Sequence, residues 1–168
     1  LRIFSNIPRR GTPRTGAPPS DGRLFTADKR AYELEESMKL LIVDDANVIR
    51  RQIKRTIEGT DGAAGEIDYV IDTAANGLEA MQKFDAFDPD IVTMDITMPE
   101  MDGLSCVLQM IKRKPTTKIL VISALADRPT AVEAVRLGAR GFLLKPFSAE
   151  ALNEELMELL KEPRRARR

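Results

Sequence analysis

Five residues able to do chemistry follow four short apolar runs. Asp44 and Asp45 come after the run at 40–43, Asp95 after 91–94, Ser123 after 119–122, and Lys145 after 142–144. If each run is a strand of an open parallel α/β sheet, its carboxyl end faces the rim where such sheets bind ligands. Three acids, a hydroxyl and an amine then converge on one crevice.

Three clustered carboxylates need compensation, because two unit charges near 4 Å apart repel by about 4 kcal/mol at an effective dielectric of about 20. Mg²⁺ suits the need: it is a hard ion that takes one or two carboxylates, keeps several waters and accepts phosphate oxygens. Calcium wants more ligands than these residues offer. A carboxylate beside such an ion and an amine can attack phosphorus and form an acyl phosphate. Asp95, alone at its strand end, is the candidate nucleophile, Lys145 the charge partner for incoming phosphoryl oxygens, and Ser123 a hydroxyl that can bond one of them. Taken singly, an Asp after a strand is more often a turn or cap residue, and a lone Ser or Lys more often a cap or a solvated charge. Their joint placement at four strand ends carries the functional reading.

The elements that must hold these residues alternate. Five strand-like runs (39–43, 69–73, 91–94, 119–122, 141–144) are interleaved with five stretches of helical periodicity, the pattern of βα units and a parallel sheet. Helix one is expected from Asn47 as N-cap to Gly59 and Gly62, with Ile49, Ile53 and Ile57 on its inner face. Helix two should present Leu78, Met81 and Phe84 after Asn76 and Gly77. Helix three should present Leu104, Val107, Leu108 and Ile111 before Pro115. Helix four should run from a cap at Asp127, with Pro129 in its first turn, to Gly138. Helix five, capped by Ser148 and with Glu150 near its positive end, should repeat Leu152, Leu156, Leu159 and Leu160 on one face. The nearly continuous apolar strands imply helices on both faces, and right-handed crossovers then force the strand order to reverse beside strand one.

At 168 residues, 43% hydrophobic and 31% charged, the chain suits one domain with tails. Lys+Arg and Asp+Glu both number 26, so no net field favours nucleic acid or membrane. With no histidine, the commonest general base is absent. The one cysteine, Cys106, excludes an internal disulfide and is expected to be a small buried hydrophobe. No apolar run approaches the roughly 20 residues of a membrane span, and a cytoplasmic protein is expected. Residues 1–37 form a Pro/Gly/Arg-rich arm expected to be disordered, with a short helix possible at 27–37; Met38 is the candidate natural start. Residues 162–168 are expected to be a basic tail, too short to form an output domain.

The fragments LIVDD at 41–45, MDITMPEMDG at 94–103, VISA at 121–124 and KPF at 145–147 resemble those of the receiver domain of bacterial two-component response regulators, over residues 38–161. The resemblance implies a doubly wound five-stranded parallel α/β sheet, flavodoxin-like (CheY-like), in the order 2-1-3-4-5. It implies Asp95 as phosphoacceptor and Asp45 and Asp95 as direct Mg²⁺ ligands, with Asp44 acting through water and the Thr97 backbone carbonyl as a further ligand. Ser123 matches the switch hydroxyl, Lys145 the amine, and Phe142 the aromatic that turns inward, though Phe142 suits plain core equally. A cis bond before Pro146 is also implied. Implied partners are a sensor histidine kinase or histidine phosphotransfer protein, and a target on the face made by helix four, strand five and helix five. A monomer or phosphorylation-dependent homodimer fits. The only catalysis implied is of its own phosphorylation and dephosphorylation. The residues two after the phosphoacceptor and the switch hydroxyl, Thr97 and Leu125, would tune the lifetime of the acyl phosphate.

Two other functions compete. A phosphatase of the haloacid dehalogenase type also uses Asp and Mg²⁺, but places a second Asp two residues after the first, where this chain has Thr97. An interaction module independent of phosphorylation, its arginine-rich ends touching nucleic acid, would show salt-sensitive binding to DNA.

Overall fold

The computed structural model describes residues 37–59, 67–125 and 128–161. Five parallel strands, β1 (Met38–Val43), β2 (Tyr69–Ala74), β3 (Ile91–Met94), β4 (Lys118–Ser123) and β5 (Gly141–Leu144), alternate with five helices. These are α1 (Asn47–Glu58), α2 (Gly77–Phe87), α3 (Gly103–Arg113), α4 (Arg128–Leu137) and α5 (Ala149–Lys161). The sheet order is β2-β1-β3-β4-β5, the flavodoxin-like arrangement expected. The order reverses at β1, which pairs with β2 on one side and β3 on the other.

Strand alternation divides the core into two layers. Leu41, Val43, Val92, Met94, Ile119 and Val121 point toward α2, α3 and α4, where Ala80, Met81, Phe84, Cys106, Val107, Met110 and Ala134 meet them. Leu40, Ile42, Ile91, Leu120 and Ile122 point the other way, onto Ile53 and Ile57 of α1 and Leu152, Leu156 and Leu159 of α5. All four β3 residues and all six of β4 are buried, as central strands covered on both faces must be.

Several local expectations need correction. Ala46, not Asn47, is the N-cap of α1, and no side chain caps it. The turn is made instead by Asp44, whose Oδ1 accepts the Ala46 N–H at 2.8 Å. On α2, Leu78 is 49% exposed and the buried face is Gly77, Ala80, Met81 and Phe84. On α3, Leu108 is at the surface, and Cys106 and Met110 lie with Val107 in the core. The Asn76 and Ser148 side chains cap α2 and α5 by accepting the Glu79 and Ala151 N–H groups. Gly138, at φ 114°, closes α4 in a conformation that side chains resist. The Asp127 cap, Gly62, the arm at 1–36 and the tail at 162–168 lie outside the described residues.

Candidate functional site

The ladder sets where each chemical group emerges. Val43 is opposite Met94, so Asp44 and Asp95 leave neighbouring strands side by side, and the Asp95 N–H continues the ladder to the Val43 carbonyl at 2.9 Å. Ser123 is opposite Leu144, and the Lys145 N–H bonds the Ser123 carbonyl at 2.9 Å. The crevice above β1 and β3 is therefore walled by the ends of four strands.

Lys145 Nζ lies 2.6 Å from Asp44 Oδ2 and 3.0 Å from Asp95 Oδ2. Asp44 and Asp95 are buried, whereas Asp45 is exposed. One oxygen from each of the three acids lies within 4.8 Å of the others. Asp95 Oδ1 accepts the Thr97 N–H at 3.3 Å. Ser123 is fully buried, and its Oγ accepts the Leu125 N–H at 3.0 Å, which leaves the hydroxyl proton able to donate. Phe142, opposite Val121 and so on the same sheet face as Ser123, is half-buried against the core beneath α2, α3 and α4. The Lys145–Pro146 peptide is cis.

Burial pushes the Asp95 carboxyl above its ordinary value, the Lys145 contact opposes this, and the Asp44 charge adds to it. Lys145 behaves oppositely: burial pulls its ammonium down, but its bonds to Asp44 and Asp95 prevail and hold it above its ordinary value. One amine thus serves a cluster of three carboxylates. That imbalance, with an all-oxygen donor set open to solvent on the Asp45 side, fits a small hard cation such as Mg²⁺.

The structure brings Asp44, Asp45, Asp95 and Lys145 into one cluster, with Ser123 on the adjoining strand end and Thr97 on the loop after Asp95. Two supporting residues were not singled out from sequence. A Cβ on Gly103 would sit 2.0 Å from the Asp95 carbonyl oxygen, so α3 begins against the backbone of Asp95 only because that position is glycine. Arg50 Nη1 donates to the Asp44 carbonyl at 2.6 Å and the Asp45 carbonyl at 3.1 Å. The glycine was visible within the MDG tripeptide; the clash it avoids was not. Nothing in the helical pattern distinguished Arg50 from a solvated charge. Cys106 is buried, and burial followed by the Asp102 charge pushes its thiol up to about 11, as befits a packing residue.

The response regulator receiver domain model matches residues 40–157. The chemotaxis protein CheY of Listeria monocytogenes is 43% identical over 124 residues, spanning 74% of this chain and 99% of the relative. CheY of Thermotoga maritima is 40% identical over 124 residues, 73% of this chain and 98% of the relative. Among solved structures, the CheX–CheY–BeF3–Mg²⁺ complex of Borrelia burgdorferi superposes with a TM-score of 0.69 at 28% identity, covering 78% of this chain and 95% of that one. No helix among the described residues is long and apolar enough to cross a membrane.

Proposed function

This chain belongs to the response regulator receiver family, and from that premise we propose that Asp95 accepts a phosphoryl group from a histidine kinase or histidine phosphotransfer protein. The observation that carries the reading is the Lys145 ammonium spanning Asp44 and Asp95 with Asp45 alongside. An Asp95 carboxylate oxygen attacks phosphorus, the bond from phosphorus to the donor nitrogen breaks, and the donor imidazole leaves with that electron pair. Asp44, Asp45, Asp95 and the Thr97 carbonyl would hold Mg²⁺, which when bound supplies neutralising charge to the transferring oxygens. The Borrelia relative was solved with Mg²⁺ and BeF3, which supports the same ion for this donor set.

Lys145 exchanges its contact with Asp95 for one with a phosphoryl oxygen. Ser123, whose proton is free to donate, turns toward another. The space it leaves lets Phe142 favour an inward rotamer, and the surface of α4, β5 and α5 changes with it. Val132, Val135 and Leu144 already expose apolar area on α4 and β5, where a target protein can read the change. The protein turns over no external substrate beyond its own phosphorylation and hydrolysis.

A phosphotransfer profile against the source organism's histidine kinases tests this, with acetyl phosphate as a kinase-free donor. Single-turnover labelling of wild type and none of Asp95→Ala is expected. Multiple turnover of p-nitrophenyl phosphate without a stable labelled protein would overturn it in favour of a phosphatase.

A further inference from the structure

β1 ends at Val43, so the next two carbonyls have no place in the sheet ladder. Among the described residues, the side-chain bonds they receive come from a single nitrogen, Arg50 Nη1, reaching back from α1. We propose that Arg50 is a positioning residue for the divalent-ion site, clamping the Asp44 and Asp45 backbone so that both carboxylates leave β1 toward Asp95. The proposal rests on the reading of that cluster as a Mg²⁺ site.

The clamp matters most for Asp45. The Asp44 carboxylate is tied independently, to the Ala46 N–H at 2.8 Å and to Lys145 at 2.6 Å. The Asp45 side chain is exposed and has no protein partner among the described residues, so its position is dictated by its own main chain. Glu79 at the start of α2 has its carboxyl held below the ordinary range, first by the Ala75 N–H and then by Lys83, with the Arg50 charge a smaller contributor, so the guanidinium also lies within the field of an acid on α2. Both bonds come from Nη1, and a lysine's nitrogen sits one bond nearer its own main chain, so it falls short of the two carbonyls that Nη1 reaches.

Positioning and plain charge predict opposite signs. If Arg50 acted only as a nearby cation, removing it would relieve repulsion toward a second cation and tighten Mg²⁺ binding. If it positions Asp45, removing it weakens binding. Partners that orient metal ligands typically account for about ten- to a hundred-fold in affinity.

Isothermal titration of wild type, Arg50→Ala, Arg50→Lys and Arg51→Ala with Mg²⁺ separates the two, with circular dichroism melts in EDTA to show that each variant is folded. The expected result is Arg50→Ala weakened by about ten-fold or more, Arg50→Lys intermediate, and Arg51→Ala, an exposed neighbour, unchanged. In an Asp45→Asn background the further loss from Arg50→Ala should largely vanish, because the clamp then has no ligand to aim. Unchanged or tighter binding by Arg50→Ala, or losses that simply add to those of Asp45→Asn, would overturn the proposal. Should Arg50→Ala fail to fold, Arg50→Lys binding as tightly as wild type would overturn it equally. Absence of Mg²⁺ binding in wild type would instead sink the functional reading on which it rests.

Discussion

Replacing Lys145 by methionine should destabilise the metal-free protein far more than loss of a surface lysine's charge ordinarily does. Methionine keeps much of the stem's volume and removes only the ammonium, leaving Asp44 and Asp95 buried with side-chain exposures of 1% and 5%. At 4.8 Å, the widest separation the cluster allows, two carboxylates repel by about 3.5 kcal/mol at an effective dielectric of about 20. Removing one partner from a buried ion pair costs about 3–5 kcal/mol in general, which agrees. For a domain of this size that is a fall in melting temperature of roughly 10–20 °C. The assay is thermal unfolding followed by circular dichroism, in EDTA and in saturating magnesium. Mg²⁺ should restore much of the loss, because a cation at the same carboxylates binds only the folded state. The double variant Lys145→Met/Asp95→Asn should recover most of it without metal. Equal losses with and without Mg²⁺, together with no recovery in the double variant, would show that Lys145 acts through packing and would refute the electrostatic account.

Four further outcomes follow from the same site. Because the folded-state value of Asp95 lies above its ordinary 3.8, metal-free stability should fall as pH rises from about 3.8 through the folded value, and Asp95→Asn should abolish that step in pH-dependent denaturant melts. Lys145, raised above 10.5, contributes stability that is complete below that pH and lost as pH climbs past it, and Lys145→Met should remove that alkaline step. Gly103→Ala should cost at least about 1–3 kcal/mol by forcing α3 off the Asp95 backbone, and slow acetyl phosphate labelling measured well below the melting temperature; wild-type rates and stability would show that the loop relaxes freely. Leu125→Glu should speed loss of label from Asp95, since neither Leu125 nor Thr97 offers an acid or amide to orient an attacking water, and an unchanged dephosphorylation rate would sink that argument.

The strands and the residues at their ends were legible because central parallel strands are mostly apolar, so the acid or hydroxyl that closes each apolar run marks its exit. Asp44 and Asp95 directly follow β1 and β3 and Ser123 closes β4, with Thr93 a polar residue inside the β3 run. The order of the strands was not legible from periodicity, since every permutation with a reversal beside β1 satisfies the same pattern; it came from the resemblance. Helix faces were misjudged where size mattered more than hydropathy. Leu78 and Leu108 are apolar yet exposed, while the smaller Gly77, Ala80 and Cys106 are buried. The α1 cap was misplaced because Asp44 acts twice, turning the chain at Ala46 while offering its other oxygen to Lys145. The backbone contacts of Gly103 with Asp95 and of Arg50 with Asp44 and Asp45 depend on how the intervening loops turn, which leaves no periodic trace in a single sequence.

The most direct measurement is the identity of the residue that carries phosphate. Protein incubated with Mg²⁺ and acetyl phosphate would be reduced with borohydride, which converts an acyl phosphate of aspartate to homoserine, then digested and sequenced by mass spectrometry. The account predicts a homoserine at position 95 alone, absent without Mg²⁺ and absent in Asp95→Asn. No modification, or one at Asp44, Asp45 or Ser123 in place of Asp95, would contradict it.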